Sequence, residues 1–176
     1  LPYVPWQWGV ELRRRLMLLV MGMILAQSCS PRRMAVALVQ YGYSQAEVSS
    51  VERQLRRIEN DRRLAVETCL HPFARHHLRL GKPRQLILIM DATTHTDQYV
   101  VLMVSVRYRG RALPLAWQLW QANAPLKGAR FWERVASLLA QVAVVLPVDV
   151  PVVVLADRAF GCPRFTDVVQ SYGWHF

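Results

Sequence analysis

The sequence predicts an α/β protein in which an all-helical N-terminal domain, residues 1–80, precedes a mixed-sheet domain, residues 84–176. The hydrophobic pattern changes at Gly81-Lys82-Pro83, from helical spacing before it to continuous runs rich in Ile and Val after it. Two of these runs end abruptly on an aspartate, Asp91 and Asp157. Such runs are typical of strands buried on both faces, and ligand sites of open α/β sheets form at strand ends.

Composition indicates a folded, basic chain. Hydrophobic residues make up 53% of the chain and charged residues 19%, which excludes a disordered protein. The net charge of +10 comes almost entirely from arginine, because Lys82 and Lys127 are the only lysines. Excess arginine suits bidentate contacts to phosphate, and so predicts a nucleic-acid partner. An arginine-rich codon usage in a GC-rich genome would give the same composition.

Cysteine usage and hydropathy bear on the compartment. The cysteines Cys29, Cys69 and Cys162 are too few and too scattered for a disulfide framework, which favours a reduced, intracellular setting. The apolar stretch at residues 16–26 is well short of the roughly 20 residues that span a bilayer. We therefore expect a buried core helix there and no membrane partner.

Three helices are predicted in the first domain. Residues 10–27 form a helix that is apolar almost all round and is therefore expected to be buried. Ser30 at the N-cap and Pro31 at the first helical position start the second helix. Ser44 and Glu47 have the spacing of a capping box for the third helix. Its inner face carries Val48, Val51, Leu55 and Ile58.

The third helix also carries candidate DNA-binding residues. Arg53, Arg56 and Arg57 lie off its apolar face, after a short turn that contains glycine. This pattern fits a helix-turn-helix, whose second helix enters the major groove. It also fits an ordinary helical hairpin with a solvated basic face. Helical structure is expected to continue until Pro72 interrupts it.

The second domain has the element order of a ribonuclease-H-like fold. Strands at residues 85–90, 99–106 and 111–118 form an antiparallel meander, and a helix at 128–146 crosses over to a fourth strand at 152–156. A right-handed crossover would place the fourth strand beside the first and parallel to it. A further helix begins at Cys162-Pro163, and residues 173–176 resemble the start of a fifth strand.

In that arrangement Asp91 and Asp157 converge. Two neighbouring carboxylates repel each other, and a divalent cation with hard oxygen ligands, Mg²⁺ or Mn²⁺, relieves the repulsion. Two such ions about 3.5–4 Å apart can drive in-line phosphoryl transfer. The alternative for each aspartate alone is a turn or helix-cap residue. His95 either lines this site or is a loop histidine, and Arg158 either contacts a DNA phosphate or pairs with a carboxylate.

Four segments of the chain resemble a known family. They are residues 49–57 (SSVERQLRR), 89–93 (IMDAT), 108–117 (YRGRALPLAW) and 155–161 (LADRAFG). Together they resemble insertion-sequence transposases of the DDE superfamily, and most closely the bacterial "IS-four" group. The resemblance implies a ribonuclease-H-like catalytic core that cuts transposon ends and joins them to target DNA. It also implies a cytoplasmic, nucleoid-associated protein whose partners are double-stranded DNA and further transposase subunits.

The resemblance implies roles for particular residues. Asp91 and Asp157 match the first two acids of the catalytic and metal-binding triad, with Mg²⁺ or Mn²⁺ as cofactor. The third acid, a glutamate in a Tyr-x₂-Arg-x₃-Glu segment beyond the second aspartate, has no match, and Ala159 stands where the family usually has glycine. We therefore expect a truncated core that binds DNA with little strand transfer on its own. The alternative is a non-catalytic DNA-binding remnant, or an inhibitor of the full-length transposase.

Overall fold

The computed structural model describes residues 9–64 and 66–176. These residues divide into two compact units, with the boundary between Cys69 and Leu70. Within the described residues there are six α-helices, four β-strands and two short 3-10 helices, so the coarse α/β prediction is confirmed. In chain order the elements are α1 (Val10–Ala26), α2 (Pro31–Gln40), α3 (Val48–Glu59), a 3-10 turn (Arg62–Leu64), α4 (Val66–Gly81), β1 (Leu86–His95), β2 (Tyr99–Tyr108), β3 (Arg111–Gln121), α5 (Ala129–Ala143), β4 (Val152–Ala156), a 3-10 turn (Arg158–Phe160) and α6 (Pro163–Gln170).

The first unit has its own apolar core, formed by α2 and α3 with one side of α1. The predicted inner face of α3 is confirmed, because Val51, Leu55 and Ile58 are buried and Val48 packs against them. The expectation that α1 is buried on all sides is wrong. Only Leu12 and Gly22 of α1 are buried, and three of its apolar side chains are more than half exposed: Val10, Met17 and Ile24.

The start of α3 also differs from the prediction. The helix begins at Val48 with Glu47 as its N-cap residue, and no side-chain cap hydrogen bond forms. Ser44 Oγ instead accepts a hydrogen bond from the backbone N–H of Ala46 at 3.2 Å, which is a local serine turn. This turn competes with the capping box for the same hydroxyl group, so the predicted capping box is absent.

Helix α4 continues through Pro72, which was expected to interrupt it. An interior proline removes one backbone hydrogen bond and strains the preceding turn. Tertiary contacts offset this cost, because Ala74 and Leu78 are fully buried in the core of the second unit. A ring nitrogen of the buried His71, Nε2, lies 3.1 Å from the carbonyl oxygen of Leu115.

These contacts also shift the boundary between the units. The division lies between Cys69 and Leu70, ahead of the Gly81-Lys82-Pro83 segment that marks the change of sequence pattern. The C-terminal part of α4 packs into the same apolar cluster as Leu86 and Leu88 of β1. A helix can therefore belong to the sheet unit even though its sequence pattern continues that of the preceding helices.

The second unit is built on a mixed four-stranded sheet with the order β3-β2-β1-β4. Strands β1, β2 and β3 form the predicted antiparallel meander, and β4 pairs parallel to β1. The predicted bounds of β4 and the helix that follows Cys162-Pro163 are confirmed. His175 adds an isolated parallel bridge to Val153, at the place of the predicted fifth strand.

The two faces of this sheet differ in burial. The core face carries Leu86, Leu88 and Met90 of β1, which pack in one cluster with apolar residues of α5 and α6. The opposite face, which we call the outer face, carries Ile87 and Ile89 and leaves several apolar side chains partly exposed. These include Met103, Trp117, Leu119 and Leu155. No helix in the described part of the chain is long and apolar enough to cross a membrane.

The difference between the faces predicts unequal costs of truncation. We expect Leu88→Ala to lower the free energy of unfolding by about 2–5 kcal/mol, because it leaves a cavity in the fully buried core. Its neighbour Ile89 is only half-buried on the outer face, so Ile89→Ala is the matched control and should cost clearly less. Urea unfolding of both variants measures the difference, and equal losses would contradict this assignment of the core face.

The proline in α4 gives a second prediction. Pro72→Ala restores a backbone donor inside the helix and should raise the free energy of unfolding by about 1–3 kcal/mol. The midpoint of thermal unfolding, followed by circular dichroism, measures this effect. A fall in the midpoint would show that the pyrrolidine ring itself supplies packing that alanine cannot replace.

Candidate metal site and nucleic-acid contacts

The two aspartates follow directly from the pairing of β1 with β4. The parallel ladder runs from Leu86 opposite Val152 to Met90 opposite Ala156. The next residue on each chain is Asp91 on one side and Asp157 on the other. Neighbouring strands are about 4.8 Å apart, so the backbones of the two aspartates lie side by side where the ladder ends.

Alternation along the strands places both aspartates on the outer face. Successive side chains of a strand point to opposite faces, and Asp91 follows the half-buried Ile87 and Ile89 in this alternation. Asp157 follows Val153 and Leu155 in the same way, and both aspartates are exposed. Both carboxylates are therefore open to solvent at this edge of the sheet.

Asp91 does not end its strand as the sequence suggested. Strand β1 continues to His95, because its pairing with β2 extends as far as His95 opposite Tyr99. Only the parallel ladder with β4 stops before Asp91. Asp91 thus lies in a stretch of β1 that pairs with β2 alone, while β2 continues to pair with β3, so its backbone is held by strand pairing.

Asp157 has a structural role in addition to any functional one. Its Oδ1 accepts a hydrogen bond from the backbone N–H of Ala159 at 2.7 Å and caps the 3-10 turn Arg158–Phe160. Phe160, at the end of this turn, is buried in the core. The helix-cap alternative is therefore part of the structure, and it orients the carboxylate while leaving Oδ2 without a hydrogen bond among the described residues.

These two carboxylates are the donor set that the structure brings together. Exposed carboxylate oxygens that share one edge suit a hard divalent cation, whose remaining positions water or phosphate oxygens would fill. In residues 9–64 and 66–176, no group of three or more His, Cys, Asp or Glu residues is arranged to hold a metal ion. The donor set fits a weakly held ion better than a closed structural site.

The other candidates near this edge are less closely placed. His95 is not a loop residue but the last residue of β1, on the same face as Asp91. His95 lies four positions further along the strand than Asp91, about 13 Å away, which is too far for both to bind one ion. Arg158 is exposed, directly follows Asp157 and forms no ion pair within the described chain. Asp97 lies in the turn after β1, with a φ of 56°.

The arginines of α3 lie in the first unit and are all exposed. Arg56 is not a free cation, because its Nη2 lies 2.9 Å from Oε1 of Glu52. The Glu52 carboxylate also faces Arg32 of α2, at 3.4 Å. Hydrogen bonding to Arg56 is the main cause that lowers the pKa of Glu52. Arg53 and Arg57 have no such partner within the described residues.

The sequence pattern did not identify two further groups of basic residues. In the first unit, Arg13 and Arg14 line a cleft of about 910 Å³ together with Tyr43 and Gln54. In the second unit, the hairpin between β2 and β3 carries three exposed arginines, Arg107, Arg109 and Arg111. The sequence did contain a signal for the second group, because no acidic residue lies between 98 and 132 to neutralise these three arginines.

Comparison with protein-family models, with curated proteins and with solved structures gives no match to this chain.

Proposed function

We propose that this chain is a transposase-like protein that binds double-stranded DNA and uses Asp91 and Asp157 for metal-dependent phosphodiester cleavage and strand transfer. The observation that carries the proposal is the placement of Asp91 and Asp157. Each is the first residue after the parallel ladder on its own strand, and both are exposed on the same face of the sheet. The sheet order β3-β2-β1-β4, with β4 parallel, supports a ribonuclease-H-like fold. The likeness of four segments to DDE transposases supports the reaction.

The residues of the site would act mainly by position and charge. Asp91 and Asp157 repel a phosphodiester unless a cation lies between them and the substrate, so their task is to hold Mg²⁺ or Mn²⁺ at the sheet edge. Such an ion, when bound, polarises phosphoryl oxygens and lowers the pKa of bound water. The backbone cap from Ala159 keeps one oxygen of Asp157 fixed. Arg158 supplies a positive charge beside the acids for a substrate phosphate.

DNA binding by the first unit would use α3. Its arginines are exposed, and α2 and α3 share one apolar core, which holds α3 at a defined angle. Seven residues, 41–47, separate these helices, which is longer than the three or four of a typical helix-turn-helix turn. We therefore assign Arg53, Arg56 and Arg57 to backbone phosphates of the duplex rather than to specific bases.

A second candidate function is a DNA-binding protein without catalysis, either a remnant or an inhibitor of a full-length transposase. The observation that favours it is that one oxygen of Asp157 already serves as a cap and no third carboxylate joins the pair in the described chain. Two carboxylates bind a cation only weakly. Both candidates therefore contain the same pair, Asp91 and Asp157, and they differ only in whether the chain cleaves and joins DNA. Under this second candidate, the chain binds DNA with little strand transfer.

Metal binding gives the direct test of the acid pair. We expect weak, saturable Mn²⁺ binding by the 176-residue chain, measured as the loss of the free Mn²⁺ signal in electron paramagnetic resonance. Asp91→Asn and Asp157→Asn should each abolish it, because each removes one of only two anionic ligands. Asparagine is also a good capping residue, so Asp157→Asn should keep the turn at Ala159 intact.

Asp167→Asn is the matched control, since Asp167 is an exposed aspartate on α6, away from the sheet edge. It should bind Mn²⁺ as the unmodified chain does. If the single substitutions at 91 and 157 left Mn²⁺ binding unchanged, the proposed metal site would be ruled out. Efficient cleavage of DNA that carries transposon ends would instead rule out the non-catalytic candidate.

The ion pair on α3 gives a test of DNA binding that does not depend on metal. Glu52→Gln releases Arg56 and Arg32 from their counter-charge, and we expect duplex DNA affinity to rise about two- to fivefold, because exposed ion pairs are weak. Arg53→Gln/Arg57→Gln should lower it. Fluorescence anisotropy measures both, with Glu47→Gln as the control. An unchanged affinity in both variants would exclude α3 from the interface.

A further inference from the structure

We propose that the second unit carries its own binding surface for the phosphate backbone of duplex DNA, at the end of the sheet opposite to Asp91 and Asp157. The surface, called here the hairpin basic patch, consists of Lys82, Arg84, Arg107, Arg109 and Arg111. The proposal rests on the proposed function only for the choice of DNA as the partner.

Two segments distant in sequence form this patch. A Cβ added to Gly81 would lie 3.4 Å from Cε2 of Tyr108, so the segment after α4 passes close to the end of β2. A groove of about 270 Å³ runs between them, lined by Gly81, Pro83, Tyr108 and the two arginines that flank this tyrosine, Arg107 and Arg109. The tertiary structure therefore adds Lys82 and Arg84 to the three arginines of the hairpin.

Among the residues that the structure describes, no carboxylate pairs with the patch. The sequence has no Asp or Glu between residues 68 and 90 or between 98 and 132. All five side chains are exposed, and within the described residues none of them has an ion pair. The first unit differs, because Arg15, Arg32, Arg56 and Arg63 each pair with a carboxylate there. Five unpaired cations on one edge form a local positive field that favours a polyanion.

The hairpin turn holds its arginines in a fixed arrangement. Arg109 and Gly110 both have positive φ, 49° and 77°, which is the pattern of a tight type I′ turn. A non-glycine residue in this region is strained, so an arginine at this position has a cost. Cζ of Arg109 lies 5.4 Å from the centroid of the Tyr108 ring, and this ring meets that of His77 edge-on. The turn is therefore packed against the aromatic ring of Tyr108, which packs against that of His77.

The position of the patch fits a duplex that also reaches the acid pair. Lys82 and Arg84 precede β1, whereas Asp91 lies five residues after the first residue of that strand. At about 3.3 Å per residue, Leu86, the first residue of β1, and Asp91 are roughly 17 Å apart, which corresponds to about five base pairs of duplex. The patch would hold the backbone on one side of the phosphate that lies over the aspartates.

The test compares two variants that each lose four charges. The patch variant is Lys82→Asn/Arg84→Gln/Arg107→Gln/Arg109→Asn, with asparagine at the two positions of positive φ because asparagine tolerates that region. The control variant is Lys127→Gln/Arg130→Gln/Arg134→Gln/Arg164→Gln, which removes four exposed cations elsewhere in the same unit. Both are made in the full chain, and circular dichroism checks their fold.

Affinity for a fluorescein-labelled duplex of mixed sequence is measured by anisotropy over a range of salt concentrations. EDTA is present throughout, so the result does not depend on the metal site. We expect the patch variant to bind about tenfold more weakly or worse, with the salt slope reduced by about 0.9 for each lost phosphate contact. The control variant should change affinity less than about twofold. Because EDTA keeps the metal site empty in every sample, failure of this proposal can be told apart from failure of the acid pair, which the Mn²⁺ titration tests separately.

Three outcomes would overturn the proposal. Equal losses in the patch and control variants would show that net charge alone matters. An unchanged affinity and salt slope in the patch variant would remove the surface from the interface. Loss of binding to vesicles of phosphatidylserine and phosphatidylcholine, with DNA affinity kept, would assign the patch to lipid. If the fourfold variant does not fold, Lys82→Asn/Arg109→Asn gives the same test with two charges.

Discussion

The parallel pairing of β1 with β4 is the interaction on which the second unit depends. It joins two apolar runs that are distant in sequence, and it brings Leu88 and Val154 into one buried apolar cluster on the core face of the sheet. The same register places Asp91 beside Asp157, because both runs end on an aspartate at the same offset. A slip of one residue would send one carboxylate to the opposite face. The burial of apolar side chains thus fixes the geometry of the proposed metal site.

Charge is distributed differently in the two units, and this difference shapes their proposed roles. In the first unit, Glu52 faces Arg32 and Arg56, and Asp61 faces Arg63, whose guanidinium lowers the pKa of Asp61 to about 2. In the second unit, the hairpin basic patch has no counter-charge within the described residues. Under the proposed function, a phosphate backbone would meet a partly neutralised surface on α3 and an uncompensated one at the hairpin. The two aspartates at the other end of the sheet would need a bound cation before a phosphate could approach them.

Local patterns predicted most elements, and they failed where tertiary contacts outweighed a local preference. The bounds of β4 follow from an apolar run closed by Pro151 and Asp157, and the structure confirms them. Pro72 was expected to end a helix, but burial of Ala74 and Leu78 keeps α4 continuous. Strand β1 was expected to end with its apolar run at residue 90, but it continues to His95 because its backbone stays paired with β2. Backbone pairing needs no apolar side chain, so the pattern could not locate that end.

The sequence by itself determined the order of elements, the antiparallel meander and the two aspartates, because periodicity, turn residues and abrupt changes of polarity are local signals. Only the tertiary structure decided which side chains share a surface. It placed Asp91 and Asp157 on one exposed face, engaged Oδ1 of Asp157 in a cap, and paired Arg56 with Glu52. It also brought the segment that carries Lys82 and Arg84 close to the hairpin, since Gly81 and Pro83 line one groove with Arg107 and Arg109. Such groupings depend on strand register and chain crossings, which connect residues that no local pattern relates.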